Sequence, residues 1–281
     1  MAELRNIRLT LAYDGTRYRG WQVQPEGPTL QGVLTRAIQR LTNERCAVFS
    51  AGRTDAGVHA LGQVANFHTR SQIPAANFRP ALQSHLPEDV VILDSREAPP
   101  EFHATFSAVA KRYRYVIDNG PVPLPFLRNY AWSIRRPLDA AAMHEAAQVL
   151  AGTHDFRSFE TDWPNKATSV RTVHKVSVDR RPAWPIWLPG AAPWVTAAEA
   201  QFILFEIEAD GFLYNMVRSI VGTLVYVGRG KWNAANVRDA LVARCRSRAG
   251  ATAPARGLYL VEVSYADAPR CVSLPSSGTA Q

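Results

Sequence analysis

The chain is poor in cysteine: Cys46, Cys245 and Cys271 are its only three in 281 residues. An odd, widely spaced set argues against a disulfide framework and against a thiolate zinc site, and fits a reducing compartment. No apolar run approaches the length needed to cross a bilayer. Met1–Arg5 leads into a strand-like pattern without the apolar core of a secretion signal, so a cytoplasmic location is expected. The seven histidines show no two-ligand spacing on one helical face, so no metal is expected. No Walker or dinucleotide glycine pattern occurs, which speaks against nucleotide-cofactor chemistry. Lysine is also scarce, with Lys111, Lys166, Lys175 and Lys231 the only ones.

What the chain does have is arginine and a large apolar fraction. Hydrophobic residues make up 47%, enough to bury a sizeable core, and the formal net charge is +8. The charge is uneven. Residues 1–104 carry 11 Lys and Arg against 10 Asp and Glu, whereas residues 105–265 carry 20 against 13. A basic second half suits a polyanion, because each phosphate neutralised releases counterions. An arginine-rich composition accounts for part of the same signal.

Periodicity predicts alternating strands and helices. Ile7–Tyr13 alternates as a half-buried strand, and Leu30–Leu41 has helical spacing with Thr29 as its N-cap. Ala47–Ser50 and Gln63–Thr69 read as strands, Ala75–His85 as a helix and Val90–Leu93 as a strand. The second half repeats the rhythm. Strands are expected over Arg112–Asp118, Val170–Val178, Phe202–Asp210 and Leu258–Ser264, with helices over Leu138–Leu150 (ended by Gly152), Tyr214–Val227 and Ala234–Arg244. The expected class is α/β (α+β): two ferredoxin-like or RNA-recognition-like halves, 1–104 and 105–265, with a mainly antiparallel sheet flanked by helices. Arg180–Ala200, rich in proline and tryptophan, reads as a long surface excursion, and residues 266–281 as a disordered tail.

Four segments stand out chemically. Ala51–Gly52–Arg53–Thr54–Asp55–Ala56–Gly57–Val58–His59–Ala60 sets one carboxylate, Asp55, on a glycine-flanked turn beside Arg53. If this stretch is extended, residues 53 and 55 share a side, and the guanidinium keeps the carboxylate ionised as a nucleophile requires. A plain structural turn with an ordinary ion pair is the competing reading. Tyr13–Gln24 combines aromatics with Arg17, Arg19 and Gln24 on a loop, a mixture suited to bases and phosphates. In Lys111–Arg112–Tyr113–Arg114–Tyr115 the tyrosines share one strand face, with Tyr115 a core candidate and Tyr113 a candidate for stacking or for accepting a proton. Arg218, inside the apolar pattern Gly211–Gly222, needs a partner, either Asp55 or a ligand phosphate, unless it snorkels to water. His59 reads as a structural histidine.

Taken together, in order and spacing, these blocks resemble the TruA family of tRNA pseudouridine synthases over roughly residues 5–265. The GRTDAGVHA block at Gly52–Ala60 is the most specific of them. Two departures accompany the match: Arg180–Ala200 is longer than the family's hairpin, and Ser219 stands where asparagine is common. The resemblance implies a cytoplasmic homodimer that isomerises uridine to pseudouridine at positions 38 to 40 of the tRNA anticodon stem-loop, without cofactor. It implies Asp55 as the catalytic aspartate and Tyr113 as the tyrosine on the uridine. It further implies Arg218 as the basic partner of Asp55, with Arg53 beside it. A non-catalytic RNA-binding module would share the basicity and the strand aromatics but has no need of the Asp55 turn or of Arg218. A hydrolase with Asp55 as general base lacks a second carboxylate nearby in sequence.

Overall fold

The computed structural model describes residues 3–161, 168–181 and 201–266. Most of the Arg180–Ala200 excursion and nearly all of the 266–281 tail therefore lie outside the described residues. The rest forms one continuous sheet of ten strands in the order β4-β1-β3-β10-β5-β9-β8-β7, with β2 added beside β3 and β6 beside β5.

The first half supplies β1 (Arg5–Tyr13), helix α1 (Leu30–Thr42), β2 (Val48–Ser50), β3 (His59–Thr69), helix α2 (Phe78–Gln83) and β4 (Val90–Ala98). Strand β1 buries Ile7, Leu9, Leu11 and Tyr13 on one face, as its alternation requires. Helix α1 starts where the Thr29 side chain accepts from the Gly32 amide, and ends at left-handed Asn43. Helix α2 is shorter than expected. A 3-10 turn takes Ala75–Asn77, and Pro80, which has no amide hydrogen to give, stands in the helix's first turn.

The second half supplies β5 (Ala108–Asp118), β6 (Trp132–Ser133), α3 (Ala140–Ala147), β7 (Gly152–Asp155), β8 (Val170–Arg181), β9 (Phe202–Ala209), α4 (Met216–Gly228), α5 (Ala234–Ala243) and β10 (Leu258–Tyr265). Gly152, at φ +97°, opens β7 and does not cap α3, which begins at Asp139 and runs into a 3-10 turn. Strand β8 continues to Arg181, so the excursion begins later than its composition suggests.

The last strand, β10, makes the sheet continuous. It lies parallel to β3, with Tyr259 opposite His59, and antiparallel to β5, with Leu260 opposite Tyr113. The remaining ladders are antiparallel apart from β5 with β6. One sheet face packs with α1, α3 and α4 into the main core, which includes Tyr113, Tyr115, Phe205, Ile207, Met216 and Ile220. Helix α4 is buried almost all round, with Arg218 and Tyr226 its exceptions. The mixed sheet flanked by helices is the expected class. Among the described residues no helix is long and apolar enough to cross a membrane.

Candidate active site

The connection between β2 and β3 carries Asp55 on a tight turn. The Val58 amide donates to the Asp55 carbonyl (3.1 Å), and Gly57 takes φ +75°, a left-handed conformation that suits glycine. The turn is clamped from beneath by the loop after β1. The Trp21 amide donates to the Thr54 carbonyl (2.9 Å) and the Gly57 amide to the Tyr18 carbonyl (3.3 Å). Gly20 sits at φ +94°, where a β-carbon would lie 2.7 Å from the Thr54 oxygen, so the two loops touch backbone to backbone. A buried polar chain completes the support. Tyr13 and Thr54 share a hydroxyl hydrogen bond of 2.8 Å, and the Gln63 amide donates to the Gly52 carbonyl (2.9 Å) and to the Tyr13 oxygen (3.3 Å). Burial pushes the Tyr13 phenol up to about 12, so it stays protonated in this chain. Gln63 supports the turn although it was legible only as a strand residue.

Arg218 reaches Asp55 from the first turns of α4. Its Nη1 lies 3.3 Å from Asp55 Oδ2, Nη1 also donates to Asn215 Oδ1 (2.6 Å), and Nε donates to the Ala253 carbonyl (2.8 Å). Both members of the ion pair are largely buried, with side-chain exposures of 19% for Arg218 and 24% for Asp55. Asn215 adopts left-handed φ 62° at the start of α4 and donates in turn to the Thr161 hydroxyl (3.0 Å). It fixes the guanidinium that fixes the carboxylate, a supporting role the sequence reading did not assign. The signal available was an asparagine just ahead of an apolar helix, where left-handed backbone is tolerated.

Two expectations need correction here. Arg53 is exposed, and Asp55's ion pair is with Arg218. The strand ends at Ser50 and Arg53–Asp55 lie on the connection that follows, so the alternation of a strand does not govern their side chains. The Asp55 carboxyl, expected to be held low by arginine, is raised above its ordinary value. Burial is the larger cause, and the charge and hydrogen bond of Arg218 only partly offset it. Of the two flanking glycines, Gly57 takes the left-handed conformation and Gly52 does not.

Tyr113 is buried on β5 with its ring edge-on to Phe212, at 4.9 Å between centroids and 80° between planes. Burial is the main reason its phenol is pushed far up, and the neighbouring Tyr13 and the Asp55 charge add to it. The Asp55 carboxylate and the Tyr113 ring therefore share one electrostatic environment. Tyr115 is fully buried and donates to the Pro254 carbonyl (2.7 Å), as a core residue. His59 is likewise structural: it accepts from the Gly15 amide (3.1 Å), contacts two backbone carbonyls and stacks on Tyr259. Burial lowers its pKa.

The Tyr13–Gln24 residues are placed less centrally. Arg17 pairs with Asp89 at 2.7 Å on the surface, Arg19 is exposed, and the Gln24 amide donates to the Arg19 carbonyl (2.6 Å). Gln24 thus braces its own loop. Ser219, one of the two departures, is buried against Thr252 (3.4 Å) one residue from Arg218. Among the described residues no group of acids, histidines and cysteines is arranged to hold a metal.

The family model described as tRNA pseudouridine synthase matches residues 10–107 and 146–266. The chain is 47% identical over 262 residues to tRNA pseudouridine synthase A of Acetivibrio thermocellus, covering 93% of this chain and 100% of that protein. It is 44% identical, with the same coverage, to the protein of that name from Thermoanaerobacter sp. (strain X514). A solved Cbf5–Nop10–Gar1 complex shares 15% identity with a TM-score of 0.33, spanning 78% of this chain and 45% of that one. With Asp55 inside the first matched segment and Arg218 inside the second, the family match and the full-length relatives lead to one conclusion: the chain belongs to the tRNA pseudouridine synthase family.

Proposed function

We propose that this isomerase converts uridine to pseudouridine in the anticodon stem-loop of tRNA, at positions 38 to 40, with Asp55 as its catalytic carboxylate. The reaction breaks the N1–C1′ glycosidic bond, forms a C5–C1′ bond, and moves one proton from C5 while N1 gains one. Nothing is oxidised and no water is consumed, so one well-held carboxylate, a cation to steady it and an apolar wall for the base are a sufficient kit. Asp55, Arg218 and Tyr113 with Phe212 supply those three parts. The observation that carries the reading is the Arg218–Asp55 pair, a charge couple drawn from opposite halves of the chain and largely removed from water. A structural salt bridge gains little from such burial, because desolvation offsets attraction; a reactive carboxylate gains a tuned pKa and a dry site.

Extruding a uridine from a stem-loop costs a few kcal/mol, which stacking at Tyr113 and phosphate contacts offset. Action as a homodimer in the cytoplasm belongs to the same reading and is checked by sedimentation of the purified chain. The test of the reaction is incubation with unmodified tRNA, followed by carbodiimide treatment and primer extension. Stops at positions 38 to 40 are expected. Their absence with active, folded protein overturns the assignment.

A further inference from the structure

Lys111 is the one lysine of β5, and its surroundings do not account for it. It sits on the same strand face as Tyr113, two residues away, opposite Ala209 of β9. Its side chain is half-buried, yet among the described residues no hydrogen bond or ion pair engages its ammonium. The charged groups it feels are Arg171, which opposes its protonation, and Asp210, which favours it. Asp210 Oδ1 also accepts from the Thr172 amide at 3.0 Å. Arg171 satisfies Nη1 with two carbonyls of its own segment, those of Thr168 and Val170.

Two glycines open onto this pair of cations. A β-carbon on Gly52, in the Asp55 connection, would lie 3.6 Å from Lys111 Nζ; one on Gly211 would lie 3.2 Å from Arg171 Nε. Neither glycine takes positive φ, so backbone freedom does not explain them. Their common property is that each lies directly against a positive charge. Two cations with one nearby carboxylate, that of Asp210, keep a net positive charge that a further anion would offset.

We propose that Lys111 and Arg171 together bind one backbone phosphate of the RNA, at or next to the nucleotide presented to Asp55. The proposal rests on the reading of this cleft as the uridine site. It gives the cleft a fixed anchor for the strand, separate from the parts that act on the base. A compact ammonium is a good partner for a single phosphate, with the guanidinium beside it sharing the charge.

The test pairs protein variants with a synthetic anticodon stem-loop in which one phosphate at a time near the target uridine is replaced by a neutral methylphosphonate. For the wild-type protein, one linkage is expected to weaken binding about tenfold, the effect of losing one charge-assisted phosphate contact. Lys111→Met is expected to be about tenfold weaker on the normal RNA and insensitive at that one linkage. Its salt dependence should also be shallower by about 0.7 to 0.9 in log–log slope. Arg171→Met should show the same linkage-specific silence at smaller amplitude. Equal methylphosphonate costs in wild type and Lys111→Met at every linkage overturn the proposal. Thermal melting of each variant separates a folding defect, which lowers binding at all linkages alike. If the wild-type protein forms pseudouridine but the cycle is flat, only the phosphate site falls; if it neither binds nor modifies the stem-loop, the reading of the cleft falls as well.

Discussion

The two faces of β5 carry similar residues to opposite ends. On the face away from the main core, Arg112 meets Glu262 and Arg114 meets Glu206, each at 2.5 Å, and each pair is partly open to solvent. On the face toward Asp55 stand Tyr113, its ring edge-on to Phe212, and Lys111, whose ammonium makes no hydrogen bond or ion pair among the described residues. The lesson is that basicity does not mark a site. Arginines matched by carboxylates across a sheet ladder contribute to pairing and register. Charge left without a close partner, or matched only at the cost of burial as in Asp55 and Arg218, is where the proposed function places the site.

That contrast breaks most sharply at Asp55. Asp55→Asn, which keeps shape and removes charge, is expected to lower kcat by ~10⁴-fold or more while tRNA affinity stays within about threefold. Robust turnover by this variant, measured by the carbodiimide assay, would remove the functional half of the comparison. Next in size is Arg218→Met, which strands a buried carboxylate without its cation and should cost ~10²- to 10³-fold in kcat. The pH dependence follows with a definite sign. Asp55 is raised in the wild-type protein, and the proposed mechanism uses its ionised form. Activity should therefore be full above its pKa and fall as pH drops, with a midpoint above the ordinary value of ~4. In Arg218→Met the midpoint should move higher still, since only the opposing influence has been deleted; a shift to lower pH would refute the electrostatic account.

Tyr113→Phe sharpens the front face itself. The ring that meets Phe212 is kept and the hydroxyl lost. A fall of ~10²-fold in kcat with unchanged RNA affinity is expected if the phenol handles a proton. Near-wild-type rates would confine Tyr113 to stacking. Gly20→Ala tests the support beneath the turn. At φ +94°, with the Thr54 oxygen 2.7 Å from the new β-carbon, a loss of ~2 kcal/mol or more is expected by thermal or chemical denaturation. Smallest of all is the other face: Arg114→Ala, removing one partly exposed pair, should cost ~1 kcal/mol or less and leave turnover within about threefold. A large catalytic effect there would erase the distinction between the faces.

Elements with local causes were readable in advance. Helix α1 has its apolar spacing, its Thr29 cap and its left-handed Asn43 within one stretch of chain. Arg218 announced its need for a partner because a charge within an apolar helical pattern has few alternatives, and Asp55 was one of the two partners named. What failed was decided at a distance. Strand β3 begins at His59, earlier than its own pattern indicates, because β10 arrives beside it from the far end of the chain. Strands β6 and β7, two and four residues long, are too short to show a period and exist only through their neighbours. Arg53 was misplaced because its position depended on where the backbone turns, and the direction of the Asp55 shift because it depended on how much water the fold excludes.

By itself, the sequence determined which groups are chemically out of the ordinary: one carboxylate on a glycine turn, a tyrosine on a basic strand, and an arginine that could not remain alone in an apolar helix. Those are properties of residue type and near-neighbour spacing, and they survive any arrangement of the chain. Tertiary structure decided which arginine serves Asp55, from 163 positions away, and that burial outweighs its pull on the proton. It also decided which cations of β5 find carboxylates and which do not, because desolvation and pairing are set by the parts of the chain that meet in space.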